Sequence, residues 1–209
     1  MYIMDTKKQH WETVYATKTA KEVSWTQDVP QTSLDFIHEF NLPKSAKIID
    51  IGGGDSRLVD FLLQEGYEQL TVLDISEKSL EKAKERLGQS ACKVKWVVSD
   101  ILEFQPHEQY DVWHDRATFH FLTTAEQVED YLDIAASAAQ QFLVVGTFAE
   151  NGPEKCSGLE VHRYSQEDLT EVFRRQFIKR RCISTLHQTP FKTSQNFTFC
   201  SFYRKSVVS

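Results

Sequence analysis

The segment Lys47–Leu58, KIIDIGGGDSRL, restricts this chain more than any other stretch of it. An apolar run ends in three consecutive glycines and passes into a helix-like segment. A strand therefore turns into a helix through backbone that carries no Cβ, which lets a ligand approach the main chain closely. The same turn aims the unpaired N–H groups of a helix N-terminus at whatever lies there. A loop that only reverses direction needs one glycine. Three of the chain's eight glycines stand here, among 209 residues, which points to a nucleotide-type binding loop.

The residues around the loop narrow the ligand. The dinucleotide pattern G-x-G-x-x-G needs glycine at position 57, where Arg57 would crowd both helix packing and a pyrophosphate. The register D-x-G-x-G-x-(G/S) fits instead, with Asp50, Gly52, Gly54 and Ser56. An acid ahead of the loop is a poor neighbour for phosphate and suits an ammonium group. The expected ligand is a cationic amino acid joined to a nucleoside. Asp74, in TVLDIS, ends the next apolar run about 20 residues past Gly54, where an acid that accepts from ribose hydroxyls is expected. A carboxylate there takes both hydroxyls of an unphosphorylated ribose. A third strand end, Ser99-Asp100-Ile101, offers a polar group to an adenine edge and an apolar side chain to its face.

Short apolar runs alternate with stretches of helical period. Strands are expected at Ala46–Ile51, Leu70–Asp74, Val94–Val98, Asp111–His114 and Phe142–Thr147, and helices at Arg57–Gln64, Glu77–Leu87 and Ala125–Ala139. Gly66 and Gly88 fall where a helix C′ residue is wanted, and Ser76 and Thr124 where N-caps are wanted. This alternation implies an α/β fold, a doubly wound, mostly parallel sheet with helices on both faces. Ser165–Asp168 resembles a capping box that opens a helix near Leu169–Arg174. Two further runs, Lys179–Thr185 and Phe197–Tyr203, form an antiparallel pair at the sheet edge. Upstream, Asp5–Thr17 and Ser33–Phe40 read as two helices. No linker or repeat interrupts the chain, so residues 1–209 are expected to form one domain with a helical extension over residues 1–44.

Composition excludes several classes. Lys and Arg number 24 against 30 Asp and Glu, a net charge of −6, so nucleic acid is not an expected partner. Cys92, Cys156, Cys182 and Cys200 contain no CxxC pair, which leaves no metal site in view. The cysteines are expected to be buried apolar residues or bystander thiols in a reducing, cytoplasmic compartment. The N-terminus lacks a signal-peptide core, and no apolar run reaches the length of a membrane span.

Taken together, DIGGGDS, VLDIS and SDI resemble the first three motifs of the class I S-adenosylmethionine-dependent methyltransferases, a resemblance that covers about residues 9–203. It implies a seven-stranded sheet of order 3-2-1-4-5-7-6 with strand seven antiparallel, and S-adenosyl-L-methionine bound over the strand ends. HWETVYATK and EVSWTQ look like the N-terminal extension of small protein lysine methyltransferases (the type 12 group) that act on elongation factor 1A or citrate synthase. In those, a W-x-x-x-Y pair and a later Trp line the cofactor pocket, which implicates Trp11, Tyr15 and Trp25. DRATFHFL resembles their D-K-G-T-F-D block, with Arg116 for the Lys, Ala117 for the Gly and His120 in place of the last Asp. The resemblance thus implies cofactor contacts from Trp11, Tyr15, Trp25, Gly52, Gly54, Asp74, Ile75, Asp100, Ile101 and Arg116.

Displacement at a sulfonium already has a good leaving group, so alignment and exclusion of water are the main requirements. No catalytic residue is assigned, and no G-x-S-x-G elbow is present. The acceptor, a protein lysine or a small molecule, is expected against Arg116–Phe121 and residues 149–165. Within the latter, Cys156 is expected as a solvated thiol, and His162 and Arg163 as acceptor contacts or parts of the next helix cap. A non-catalytic S-adenosylmethionine-binding module, and an NAD-type oxidoreductase, are the alternatives.

Overall fold

Seven runs pair into one sheet in the computed structural model, which describes residues 3–205. They are β1 (Lys47–Ile51), β2 (Gln69–Asp74), β3 (Val94–Val98), β4 (Tyr110–Arg116), β5 (Ala139–Phe148), β6 (Phe177–Gln188) and β7 (Ser194–Arg204). Their spatial order is β3-β2-β1-β4-β5-β7-β6. β1 pairs in parallel with β2 and β4, while β7 runs antiparallel to both β5 and β6. The expected architecture is the observed one.

Helices α1 (Ile3–Thr17), α2 (Gln31–His38), α3 (Leu58–Gln64), α4 (Glu77–Leu87), α5 (Ala125–Ala138) and α6 (Gln166–Phe173) cover the two faces. Ser76 caps α4 by accepting from the Ser79 N–H, and Thr124 and Ser165 form full capping boxes at α5 and α6. Gly66 and Gly88 adopt φ of +88° and +55° just past α3 and α4, as chain reversal at a helix end requires.

Alternation along each strand separates two apolar layers. Ile49, Ile51, Trp113, Leu143 and Val145 face α5 and α6 with Phe119, Tyr131 and Phe173. Ile48, Val112, Val144 and Phe199 face the other side with Phe36, Leu58 and Leu80. Sheet pairing extends several elements beyond the expected bounds. β6 continues through polar His187 and Gln188 because β7 supplies partners for their backbone up to Ser194. α2 starts at Gln31, directly after Pro30.

The cysteine expectation fails at one pair. Cys182 and Cys200 are direct cross-strand neighbours on β6 and β7, with Cα atoms 4.1 Å apart, and form a disulfide. A separation of 18 residues carries no such signal in the sequence; the antiparallel register alone brings them together. Cys92 is an exposed free thiol. No described helix is long and apolar enough to cross a membrane.

Candidate functional site

A cavity of about 470 Å³ lies at the C-terminal ends of β1, β2, β3 and β4, beneath α1 and the segment around Trp25. Parallel strands converge there and reverse into loops, the position at which doubly wound sheets bind ligands.

The glycine loop forms its floor. Gly52 has φ +62°, and a Cβ there would lie 1.8 Å from Thr118 Oγ1, which donates to the Ile51 carbonyl. Gly54 has φ +37°, and its Cβ would meet Asp74 Oδ2 at 2.5 Å. A Cβ on Gly53 would lie 2.6 Å from Asp50 Oδ2. All three positions therefore exclude side chains, as the loop's composition implies. Arg86 of α4 holds the loop from below: it pairs with the Asp55 carboxylate, donates to the Ser56 carbonyl at 2.8 Å and forks onto Asp60 at 2.9 and 2.8 Å.

Asp74 ends β2 almost fully buried. Its Oδ1 accepts from the Ser76 N–H at 2.8 Å. Burial pushes its carboxyl up to about 7, against the opposing hydrogen bonds of Ser76 and Ser79. A buried carboxylate without a paired cation is costly unless a ligand supplies donors. Asp100 accepts from the Leu102 N–H through Oδ1, and Ile101 is buried beside it.

Above the loop, Trp11, Tyr15, Trp25 and Phe121 form one aromatic group, with Trp11 5.7 Å from Trp25 and 5.3 Å from Phe121. Two contacts, each between a side chain of one helix and an end of the other, seat α1 on α4 here. Glu12 accepts from the Glu77 N–H at 2.6 Å, and Lys82 donates to the Lys18 carbonyl at 2.7 Å. Burial raises the Tyr15 phenol well above its ordinary value.

Nine of the ten sequence-predicted residues line the cavity: Trp11, Tyr15, Trp25, Gly52, Asp74, Ile75, Asp100, Ile101 and Arg116. Gly54 lies just behind it, against Asp74 and the Tyr15 hydroxyl. Cys156 corrects the solvated-thiol expectation: a two-residue ladder, Lys155–Cys156 with Leu159–Glu160, turns it inward to line the cavity. Burial pushes its thiol up to about 12. His162 and Arg163 do not line the cavity; Arg163 bonds the Gly152 carbonyl and Glu154.

Sequence reading missed a buried chain beside the loop. The parallel register sets His114 next to Asp50; His114 Nδ1 lies 2.7 Å from Asp50 Oδ1, and its Nε2 2.9 Å from Ser33 Oγ on α2. All three residues line the cavity. Only the pairing of β1 with β4 could have revealed it.

The turn after β4 is held by Asp115, whose Oδ1 accepts from the Thr118 and Phe119 N–H groups and whose Oδ2 accepts from the Tyr131 hydroxyl. Burial pushes Asp115 up to about 6. The turn presents Arg116, which donates through Nη1 to the Trp25 carbonyl at 3.0 Å and lies 5.1 Å over the Phe197 ring. Burial lowers its guanidinium to about 10. Among the described residues no group of three or more His, Cys, Asp and Glu side chains is placed to hold a metal ion.

Acids at positions 50, 55 and 74 surround the loop, which disfavours a pyrophosphate and accommodates a cationic aminoacyl nucleoside. Comparison with known proteins agrees. Residues 48–140 match the family model described as "Methyltransferase domain". Over 82 residues the chain is 39% identical to a malonyl-[acyl-carrier protein] O-methyltransferase of Anoxybacillus flavithermus, covering 38% of this chain and 30% of that protein. Over 119 residues it is 25% identical to the eEF1A lysine and N-terminal methyltransferase of Mus musculus, covering 56% and 17%. The chain thus spans less than a third of the length of either relative. A SAM-dependent methyltransferase from Anabaena variabilis shares the fold, with a TM-score of 0.74 and 15% identity over 98% of this chain and 96% of that one. Residues 48–140 thus resemble a methyltransferase domain in sequence, and nearly the whole chain shares the fold of a SAM-dependent methyltransferase.

Proposed function

We propose that the chain binds S-adenosyl-L-methionine and transfers its methyl group to an acceptor, acting as a single domain whose N-terminal extension covers the site through Trp11, Tyr15 and Trp25. The observation that carries this reading is Asp74: a buried carboxylate that makes no ion pair among the described residues, beside three glycines at which a Cβ is excluded. Asp74 would accept the ribose hydroxyls, with Ile75 beside them. Asp100 and Ile101 would frame the adenine. Gly52 and Gly54 would leave room for the aminoacyl end, whose ammonium Asp50 attracts. When bound, S-adenosylmethionine supplies a methyl group on a positively charged sulfur. Trp11, Tyr15 and Trp25 would close over it and exclude water, and Arg116 would border its β4 side. No residue is assigned as a base.

The relatives' names support two acceptor classes, a protein amine and a carboxylate carried on a protein; a small molecule is the third. The cytoplasmic site of action expected from the sequence has the Cys182–Cys200 disulfide against it. Isothermal titration with S-adenosylhomocysteine tests the binding step: micromolar affinity is expected, with none for NADH. Absence of binding by a folded sample overturns the reading. Transfer of labelled methyl from the donor to a lysate fraction then separates an enzyme from a binding module.

A further inference from the structure

The hydrogen-bonded row of Asp50, His114 and Ser33 has one polar end left over. Asp50 Oδ1 lies 2.7 Å from His114 Nδ1, and His114 Nε2 lies 2.9 Å from Ser33 Oγ. A carboxylate only accepts, so Nδ1 carries the ring proton and donates it to Asp50. Nε2 then accepts from the Ser33 hydroxyl, which has no other partner among the described residues. The row therefore fixes both the tautomer and the orientation of the ring. Asp50 Oδ2 differs. No donor among the described residues bonds it, and it lies beside Gly53, where a Cβ would stand 2.6 Å away.

Such a row is costly as packing alone. A carboxylate has about four acceptor sites, and this one, almost fully buried, uses one of them on His114. No lysine or arginine among the described residues forms an ion pair with it. Arg116 feels the field of Asp50, yet its Nη1 donates to the Trp25 carbonyl. Apolar residues of similar volume would fill the place without that cost. A lysine or arginine in place of His114 would neutralise the carboxylate and compete with a cationic ligand. In this tautomer the imidazole holds the carboxylate by a hydrogen bond and adds no charge. The free oxygen keeps its attraction for a cation, and Asp50, Gly52 and Gly53 together line the cavity there.

We propose that His114, locked by Ser33, is a positioning residue that aims Asp50 at the ammonium of the donor's aminoacyl end and so selects ligands that carry that amine. This rests on the donor-binding reading above. In this role His114 acts through the Asp50 carboxylate, not by contact with the reacting atoms.

The test titrates three ligands: S-adenosylhomocysteine, its decarboxylated analogue, which keeps the amine, and 5′-methylthioadenosine, which lacks it. Wild-type protein should bind the two amine-bearing ligands about tenfold more tightly than 5′-methylthioadenosine, the scale of one charged hydrogen bond. His114→Phe fills the space without a donor. It should weaken both amine-bearing ligands about tenfold and leave 5′-methylthioadenosine within about twofold. His114→Asn returns a donor near the Nδ1 position and should recover part of the loss. Ser33→Ala unlocks the ring and should show the same selective pattern at about threefold. A packing role lowers all three affinities together or none of them, and either result overturns the proposal. So does an Asp50→Asn variant that keeps the wild-type preference for the amine, because the ammonium is then held elsewhere. Circular dichroism identifies any variant that fails to fold; if His114→Phe is one, Ser33→Ala decides. If all three ligands bind wild-type protein alike, the donor reading stands and selection by the amine fails. If none binds folded protein, the donor reading fails and this proposal with it.

Discussion

At the scale of single residues, Asp74 sets the site's energetics. In the proposed role its carboxyl must be ionised to accept two hydroxyls, yet burial raises it to about 7. S-adenosylhomocysteine affinity should therefore fall as pH drops through 7, with Kd rising about tenfold per pH unit well below it; calorimetry from pH 5.5 to 8.5 checks this. Asp74→Ala should cost about 1.5–3 kcal/mol of binding, the range of a hydrogen bond to a charged group. Folding stability responds with the opposite sense. A carboxyl raised in the folded state adds stability below its unfolded value, and that stability is lost as pH rises through the folded one. For Asp115 and Asp74 that loss runs through about 6 and about 7. Urea unfolding of the ligand-free protein should show it between pH 5 and 8, and Asp74→Asn should flatten the profile. A group that weakens the empty fold and strengthens the filled one is typical of binding sites.

At the scale of elements, the loop between β1 and α3 is fixed by what packs against it. Gly54→Ala would force a Cβ into Asp74 Oδ2 in a backbone conformation that alanine avoids. Loss of S-adenosylhomocysteine binding and a lower Tm are expected, read by titration and by thermal unfolding. Arg86 is the complementary case. Arg86→Ala leaves Asp55 and Asp60 half-buried without their cation and frees the Ser56 carbonyl. A loss of about 2–3 kcal/mol in urea unfolding is expected, with binding weakened because the loop is no longer held.

At the scale of the whole molecule, the β6–β7 hairpin ties the far edge of the sheet to the site. His187 on β6 bonds the Ser24 carbonyl at 2.6 Å, one residue before Trp25, and Phe197 on β7 underlies Arg116. The disulfide staples this hairpin. Alkylation of the denatured, unreduced protein should label Cys92 and Cys156 only, with Cys182 and Cys200 labelled after reduction. Cys182→Ser should lower stability by about 2–4 kcal/mol.

Sequence by itself determined the architecture and many of the side chains that line the cavity. Glycine runs, caps and apolar periodicity are local: each depends on what backbone or solvent permits within a few residues, so Gly52, Asp74 and Asp100 could be placed at strand ends before any contact was known. Tertiary structure decided whatever depends on register between distant strands. Asp50 meets His114, and Cys182 meets Cys200, through pairings that no spacing encodes. Cys156 turns inward because a short hairpin folds back across the sheet end.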